Sequence, residues 1–207
     1  MGLRCRHAVH GAAADTGSAA DLIDGFEPEN ELEARVTADP VLLRGLSWGR
    51  PRHGHPEGSV GCHVADLLAQ IDRLGERGAL RAELRFIALV HDSLKYRERD
   101  WLPHVGPNHH AVRARCLAER YTSDERLLAT VELHDRPYHL WRRTRRLGGR
   151  LSRRITRTGL QRLLDRIPDL ELFARFVELD ASTEGKNPEP QRWFREQLAR
   201  RGLVAPG

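Results

Sequence analysis

A chain of 207 residues with 40% hydrophobic side chains is long enough for one compact domain with a buried core. No stretch approaches the apolar length needed to cross a bilayer, and the N-terminus lacks the central apolar block of a secretory signal, so a reducing cytoplasm is the expected compartment. The net charge of +5 is local: eight arginines and no acid fall between Arg142 and Arg157, while the other 26 basic residues face 29 acidic ones across a mildly acidic body.

Residues 1–20 read as a flexible, Ala/Gly-rich leader, and 21–207 as a single helical domain with an Arg-rich insertion at about 142–157. Glu27–Glu31 resembles a helix entry. Asp39–Pro40 sets a capping carboxylate before a proline at the first helical position, so two short helices are expected before Gly49. A Gly/Pro/His-rich loop then leads to Ser59, a candidate cap for an amphipathic helix over Val60–Leu74. Its apolar stripe holds Val60, Val64, Leu67, Leu68 and Ile71, and His63 shares that stripe.

After a turn at Gly78, the run from Ala79 to Leu94 has helical spacing, with Leu84, Ile87, Ala88 and His91 on one face. Asp92 follows at once, where a carboxylate would be desolvated unless its charge is compensated. Tyr96–Gly106 reads as a charged crossing loop. A third helix is expected from an Asn108 cap to Tyr121. There His109 aligns with Val112 and Cys116, and His110 with Ala114 and Leu117, so periodicity alone leaves open which histidine faces inward.

Ser123 is the expected cap of a helix from Asp124 to His134, in which Leu127, Leu128 and Val131 lead to His134. The stretch from Arg142 to Arg157, broken at Gly148–Gly149, reads either as a solvated loop or helical hairpin, or as a surface on which arginine grips phosphate. Tyr138 and Trp141 just before it are able to stack on a base or to join the core. A helix from Asp169 carries Leu172, Phe173, Phe176 and Val177 to Asp180, an acid on an apolar stripe. The polar turn Ala181–Asn187 and a final helix over Pro190–Arg201, with Trp193, Phe194 and Leu198 inward, complete the chain.

Five predicted helices thus each bring an ionisable group to an apolar face. Any one of these is compatible with a core histidine bonded to a carbonyl; together they call for a common partner, and one or two cations satisfy all of them. A mixed nitrogen and oxygen set without thiolate suits Mn, Fe, Co, Mg or Zn in an open site. The three cysteines are widely spaced with no CxxC, which indicates neither a disulfide framework nor a zinc ribbon. Only Lys95 and Lys186 are lysines among 34 basic residues, and both stand at motif-like positions.

The order His63, His91–Asp92, a third histidine, His134, Asp180, together with the run FIALVHDSLK (Phe86–Lys95), resembles the HD superfamily of metal-dependent phosphohydrolases. The stretch GHPEGSVGCH (Gly54–His63) resembles the start of the HD domain in bacterial CCA-adding tRNA nucleotidyltransferases. The likeness runs from about Arg50 to Asp180 and includes no nucleotidyltransferase domain. It implies an all-α fold, the HD-domain helical bundle.

It also implies a first metal held by His63, His91, Asp92 and Asp180, with Asp92 bridging to a second held by His109 and His134. Family members often carry Gly-Ala four and five residues after the third histidine. That pair is half kept when counted from His109 (Arg113–Ala114) and lost from His110, which favours His109. Lys95 would bind a phosphate oxygen and Lys186 with Thr183 a substrate phosphate, while His55 and Glu57 would frame the pocket or protonate the leaving group. The implied activity is hydrolysis of a phosphate ester or anhydride of a nucleotide or similar small phosphate by metal-activated water. The same ligand set admits a di-iron oxygenase, and the Arg-rich stretch a non-catalytic module that binds RNA or another polyanion.

Overall fold

The computed structural model describes residues 17–51, 58–147, 149–183 and 186–204. Its regular elements are helices α1 (Ala19–Leu22), α2 (Glu31–Thr37), α3 (Pro40–Leu46), α4 (Val60–Arg73), α5 (Gly78–Val90), α6 (His110–Ala118), α7 (Glu125–Leu133), α8 (Arg136–Arg146), α9 (Gly149–Leu164), α10 (Leu170–Ala181) and α11 (Glu189–Ala199), with 3-10 turns at Lys95–Arg97 and Gly106–Asn108. No strand occurs among the described residues, and the fold is all-α. None of these helices is long and apolar enough to cross a membrane. Among the described cysteines Cys62 is free, while Cys116 is disulfide-bonded, a pairing that its spacing in the sequence does not signal.

Short polar side chains start five of these helices by accepting from an otherwise unpaired backbone N–H. Asn30 accepts from Glu33 N, Asp39 from Val41 N, Ser59 from Cys62 N and Asp169 from Leu172 N. Three boundaries differ from the sequence expectation. Asp124, rather than Ser123, caps α7 by accepting from Arg126 N. Asn108 does not cap α6, because its amide is taken up by Arg99 N, Arg99 O, Leu102 O and Pro103 O; His109 becomes the cap. Helix α5 ends at Val90 instead of Leu94. There the Ser93 hydroxyl donates to Val90 O and Lys95 N donates to Asp92 O, which tightens the chain into turns. His91 and Asp92 therefore stand at the exit of a buried helix rather than inside it.

Helices α4 and α5 build the larger core, in which Val64, Leu67, Ile71, Leu84, Ile87 and Leu89 are wholly buried. A second cluster joins α7, α9, α10 and α11 through Leu133, Leu160, Phe173, Phe194 and Leu198. Helix α10 faces both, with Leu172 and Phe176 in the first cluster and Phe173 and Val177 in the second.

Two features lock the frame around α5. Arg85, on its buried face, makes a two-pronged contact with the fully buried Glu33 of α2 (Nε–Oε1 and Nη2–Oε2, both 2.9 Å) and donates to Glu27 O. Gly45 of α3 lies against the backbone that follows Asp92, and a Cβ there would meet Ser93 O at 1.8 Å.

Removing one member of the Arg85–Glu33 pair strands a buried charge. Arg85→Ala should cost about 3–5 kcal/mol in urea unfolding, whereas replacing both residues with leucine should recover most of that loss. Gly45→Ala, by pushing Ser93 away, should lower the thermal midpoint measured by circular dichroism.

Candidate metal centre

Six elements deliver polar side chains to one region of the interior. His63 comes from α4, His91 and Asp92 from the exit of α5, His110 from the first position of α6, His134 and Asp135 from the junction of α7 and α8, and Asp180 from the last turn of α10. His91 is completely buried, and Asp92 and His63 are each 3% exposed. The imidazoles form a chain, with ring centres 5.4 Å apart for His63 and His91, 4.9 Å for His91 and His134, and 5.5 Å for His134 and His110. Phe176 packs edge-on against the His91 ring and supplies the apolar floor.

The rings are aimed by their second nitrogens. His91 Nδ1 donates to Ala88 O at 2.9 Å, and His134 Nδ1 donates to Val131 O at 2.8 Å. A carbonyl only accepts, so in the neutral ring the lone pair is left on Nε2, facing the cluster. The carboxylates lie within reach of those nitrogens. His63 Nε2 is 3.0 Å from Asp180 Oδ1, His91 Nε2 is 3.4 Å from Asp92 Oδ2, and His134 Nε2 is 3.5 Å from Asp92 Oδ1. Asp92 thus turns one oxygen toward His91 and the other toward His134 and His110, the latter at 3.3 Å.

His110, rather than the His109 favoured from sequence, is the ring that reaches Asp92, while His109 shares possible ligand groups with Glu98 and His110 and with Asp135 and His139. His110 Nε2 lies 3.3 Å from Asp92 Oδ1 and 3.0 Å from Asp135 Oδ2, and Glu98 holds both its backbone N–H and its Nδ1. His109 instead accepts from Ala111 N, stacks on the His110 ring and stands 4.0 Å from Asp135. His63, His91, Asp92, His134 and Asp180 are where the sequence placed them. Asp135 is an addition, for which the available signal was the second His–Asp dipeptide in the chain, His134–Asp135. Glu98 carried no comparable signal.

Both lysines reach the cluster. Lys95 Nζ pairs with Asp92 Oδ2, and Lys186 Nζ is 2.5 Å from Asp180 Oδ1. Thr183 is buried beside Asp180, and its hydroxyl donates to Asp180 O. His55 and Glu57 lie outside the described residues.

The electrostatics follow from this crowding. Burial raises the carboxyl of Asp92, yet Lys95, His91, His110 and His134 outweigh it and hold the group well below the usual carboxylate range. Asp180 behaves alike, with Lys186 and His63 opposing its burial. Burial lowers His110, but Asp135, Asp92 and Glu98 push it up to about 11. His134 is likewise raised by Asp135 and Asp92 against its burial. Burial and the neighbouring His110 push His109 down to about 4.

The site's chemistry fits a divalent cation. His91 Nε2 and Asp92 Oδ1 are buried without a well-formed hydrogen bond, an expensive condition unless something else binds them. Among the described residues five sets of ligand atoms lie close enough to hold an ion: His63, His91 and Asp180; His91, Asp92 and His134; His110, His134 and Asp135; Glu98, His109 and His110; and His109, Asp135 and His139. The first three overlap through His91 and His134, so the arrangement has room for more than one ion, with Asp92 facing both halves. No family model matches the chain, and neither does any curated protein or solved structure.

Metal uptake here should be coupled to protons. His110 carries its proton at neutral pH in the absence of metal and must lose it to ligate, so binding should release about one proton per imidazole converted, and affinity should rise with pH. Titration calorimetry in buffers of different ionisation enthalpy measures that release, and Asp135→Asn, which removes a group holding the proton on His110, should make it smaller.

Proposed function

We propose that this chain is a metal-dependent phosphohydrolase of the HD type, which cleaves a phosphate ester or anhydride of a nucleotide or similar small phosphate. The observation that carries the reading is the convergence on Asp92. A buried carboxylate stands among three imidazoles with an oxygen turned to each half of the cluster, and an ammonium lies against it. In this reading His63, His91, Asp92 and Asp180 hold one cation, and His110 and His134 with Asp135 hold a second. A cation in that place acidifies a coordinated water and neutralises charge on phosphoryl oxygens.

The protein's own groups divide the remaining work. Asp92 orients both halves of the cluster. Lys95 is a compact ammonium whose pairing with Asp92 is exchangeable for a phosphate oxygen, a role for which a point charge on a flexible stem is suited. Its proton is secure: burial pulls the ammonium down, but Asp92 and Asp135 hold it above its ordinary value. Lys186 plays the corresponding part beside Asp180. Asp135 and Asp180, 28% and 19% exposed at their side chains, are the carboxylates most open to an incoming substrate. An ammonium on each side of the centre favours an anionic substrate over dioxygen.

The test joins metal analysis of the purified protein to a screen of phosphomonoesters, phosphodiesters and nucleotides with Mn or Co. His91→Ala should lose bound metal and all turnover. Lys95→Met should keep its metal and lose about two orders of magnitude in kcat/KM, the scale on which one positioned charge acts in phosphoryl transfer. Normal metal content after His91→Ala would sink the proposal, as would iron with an optical band and oxygen consumption in place of phosphate release.

A further inference from the structure

The stretch from Arg142 to Arg157 falls on a packed helical hairpin, α8 and α9. Its two arms approach so closely that a Cβ on Gly159 would meet Leu140 Cδ2 at 2.5 Å. The Ser152 hydroxyl donates to Thr144 O at 3.0 Å, and Leu160 and Leu163 anchor α9 in the second core cluster. This rigid scaffold exposes all eight arginines, and no described carboxylate forms an ion pair with any of them. Arg81, Arg85, Arg115, Arg126, Arg166 and Arg175, by contrast, each reach an acid. Eight such charges on one helical hairpin repel one another, and a polyanion relieves that repulsion.

The hairpin is continuous with the metal centre. Helix α8 starts one residue after Asp135, and His139, Arg142, Arg143 and Arg146 recur along it at helical spacing, on one side. His139 belongs to a ligand group with His109 and Asp135, so that side begins at the site. From Asp135 to Arg146 the helix rises roughly 16 Å, too far for the phosphates of one nucleotide and suited to a chain of them. An aromatic surface stands on the adjoining side of the same helix, where Tyr138, Trp141 and Arg145 recur at helical spacing. Tyr138 is 42% exposed, and its ring centre is 5.7 Å from His139 and 6.0 Å from Trp141, itself covered by the Arg145 guanidinium. Positive charge along a track with an open aromatic face is the combination that holds single-stranded nucleic acid.

We propose that the α8–α9 hairpin binds single-stranded nucleic acid and leads the strand toward the metal centre; the second clause rests on the hydrolase reading, the first does not. The probe is a fluorescently labelled uridine dodecamer, titrated with the full chain and followed by anisotropy in EDTA, so that no turnover intervenes. Affinity should fall steeply between about 50 and 200 mM salt. Combined Arg142→Glu, Arg146→Glu and Arg153→Glu should weaken binding at least about ten-fold, and the matching triple Gln variant by less, with unchanged helicity as the control for folding. Tyr138→Ala should cost about five-fold or more without changing the salt slope.

Equal affinity of the charge-reversed and parent proteins would overturn the proposal. So would binding to vesicles rich in phosphatidylserine without binding to the dodecamer, or displacement of the dodecamer by uridine monophosphate at equal phosphate concentration. A protein that binds the strand but no metal keeps this surface and loses the hydrolase; one that holds metal and releases phosphate but ignores the strand loses this surface alone.

Discussion

Asp92 is a carboxylate at the exit of a helix buried from Leu84 onward, itself 3% exposed, and the rest of the molecule is arranged around keeping it charged there. A lone carboxylate in such a place takes up a proton instead. Here the opposing groups come from four directions: Lys95 from the following turn, His91 from the preceding residue, His110 from α6 and His134 from α7. The three imidazoles are each held by something other than Asp92. Ala88 O fixes His91, Val131 O fixes His134, and Glu98 fixes His110. A second layer of ordinary backbone and side-chain contacts therefore sets the ring orientations that the buried charge requires.

That demand explains the two lysines. Thirty-two of the 34 basic residues are arginine, yet the two ammoniums in the sequence go to Asp92 and Asp180. A planar guanidinium presents five donors and would cover both oxygens of a carboxylate. An ammonium touches one oxygen and leaves the other for neighbours. In this chain the freed oxygen of Asp92 is the one that faces His110 and His134, so the choice of lysine keeps the carboxylate available to both halves of the cluster.

The parts of the site legible from sequence were those fixed by helical periodicity. His63, His134 and Asp180 lie on the apolar stripes of α4, α7 and α10, and a stripe facing the core carries its polar members inward with it. The choice between His109 and His110 was not legible, because it depends on where α6 begins. Asn108 is a good cap by type, but four backbone groups of the preceding loop claim its side chain, and capping passes to His109. The helix then starts one residue later, and His110 swings to the cluster under the hold of Glu98, twelve positions away in sequence. The family's Gly-Ala spacing pointed to His109 and carried no information about that tertiary contact. Asp135 was hidden for another reason: it follows the last residue of an apolar stripe, where periodicity stops, and its direction is set by the turn into α8.

That turn gives α8 two roles at once. Its first residues belong to the buried cluster and its last ones to the arginine surface, so the element that fixes Asp135 against His110 also carries the unpaired charge. The charge distribution of the whole chain makes this position consequential. Without the eight arginines of the hairpin the remaining 26 basic and 29 acidic residues leave a net negative body. On the proposed reading a polyanion would be attracted at one end of α8 and gain nothing from the near-neutral remainder, which would orient it as well as bind it. Uniform positive charge would give affinity without direction. A basic hairpin on an acidic body, joined to the cluster by a single helix, gives both.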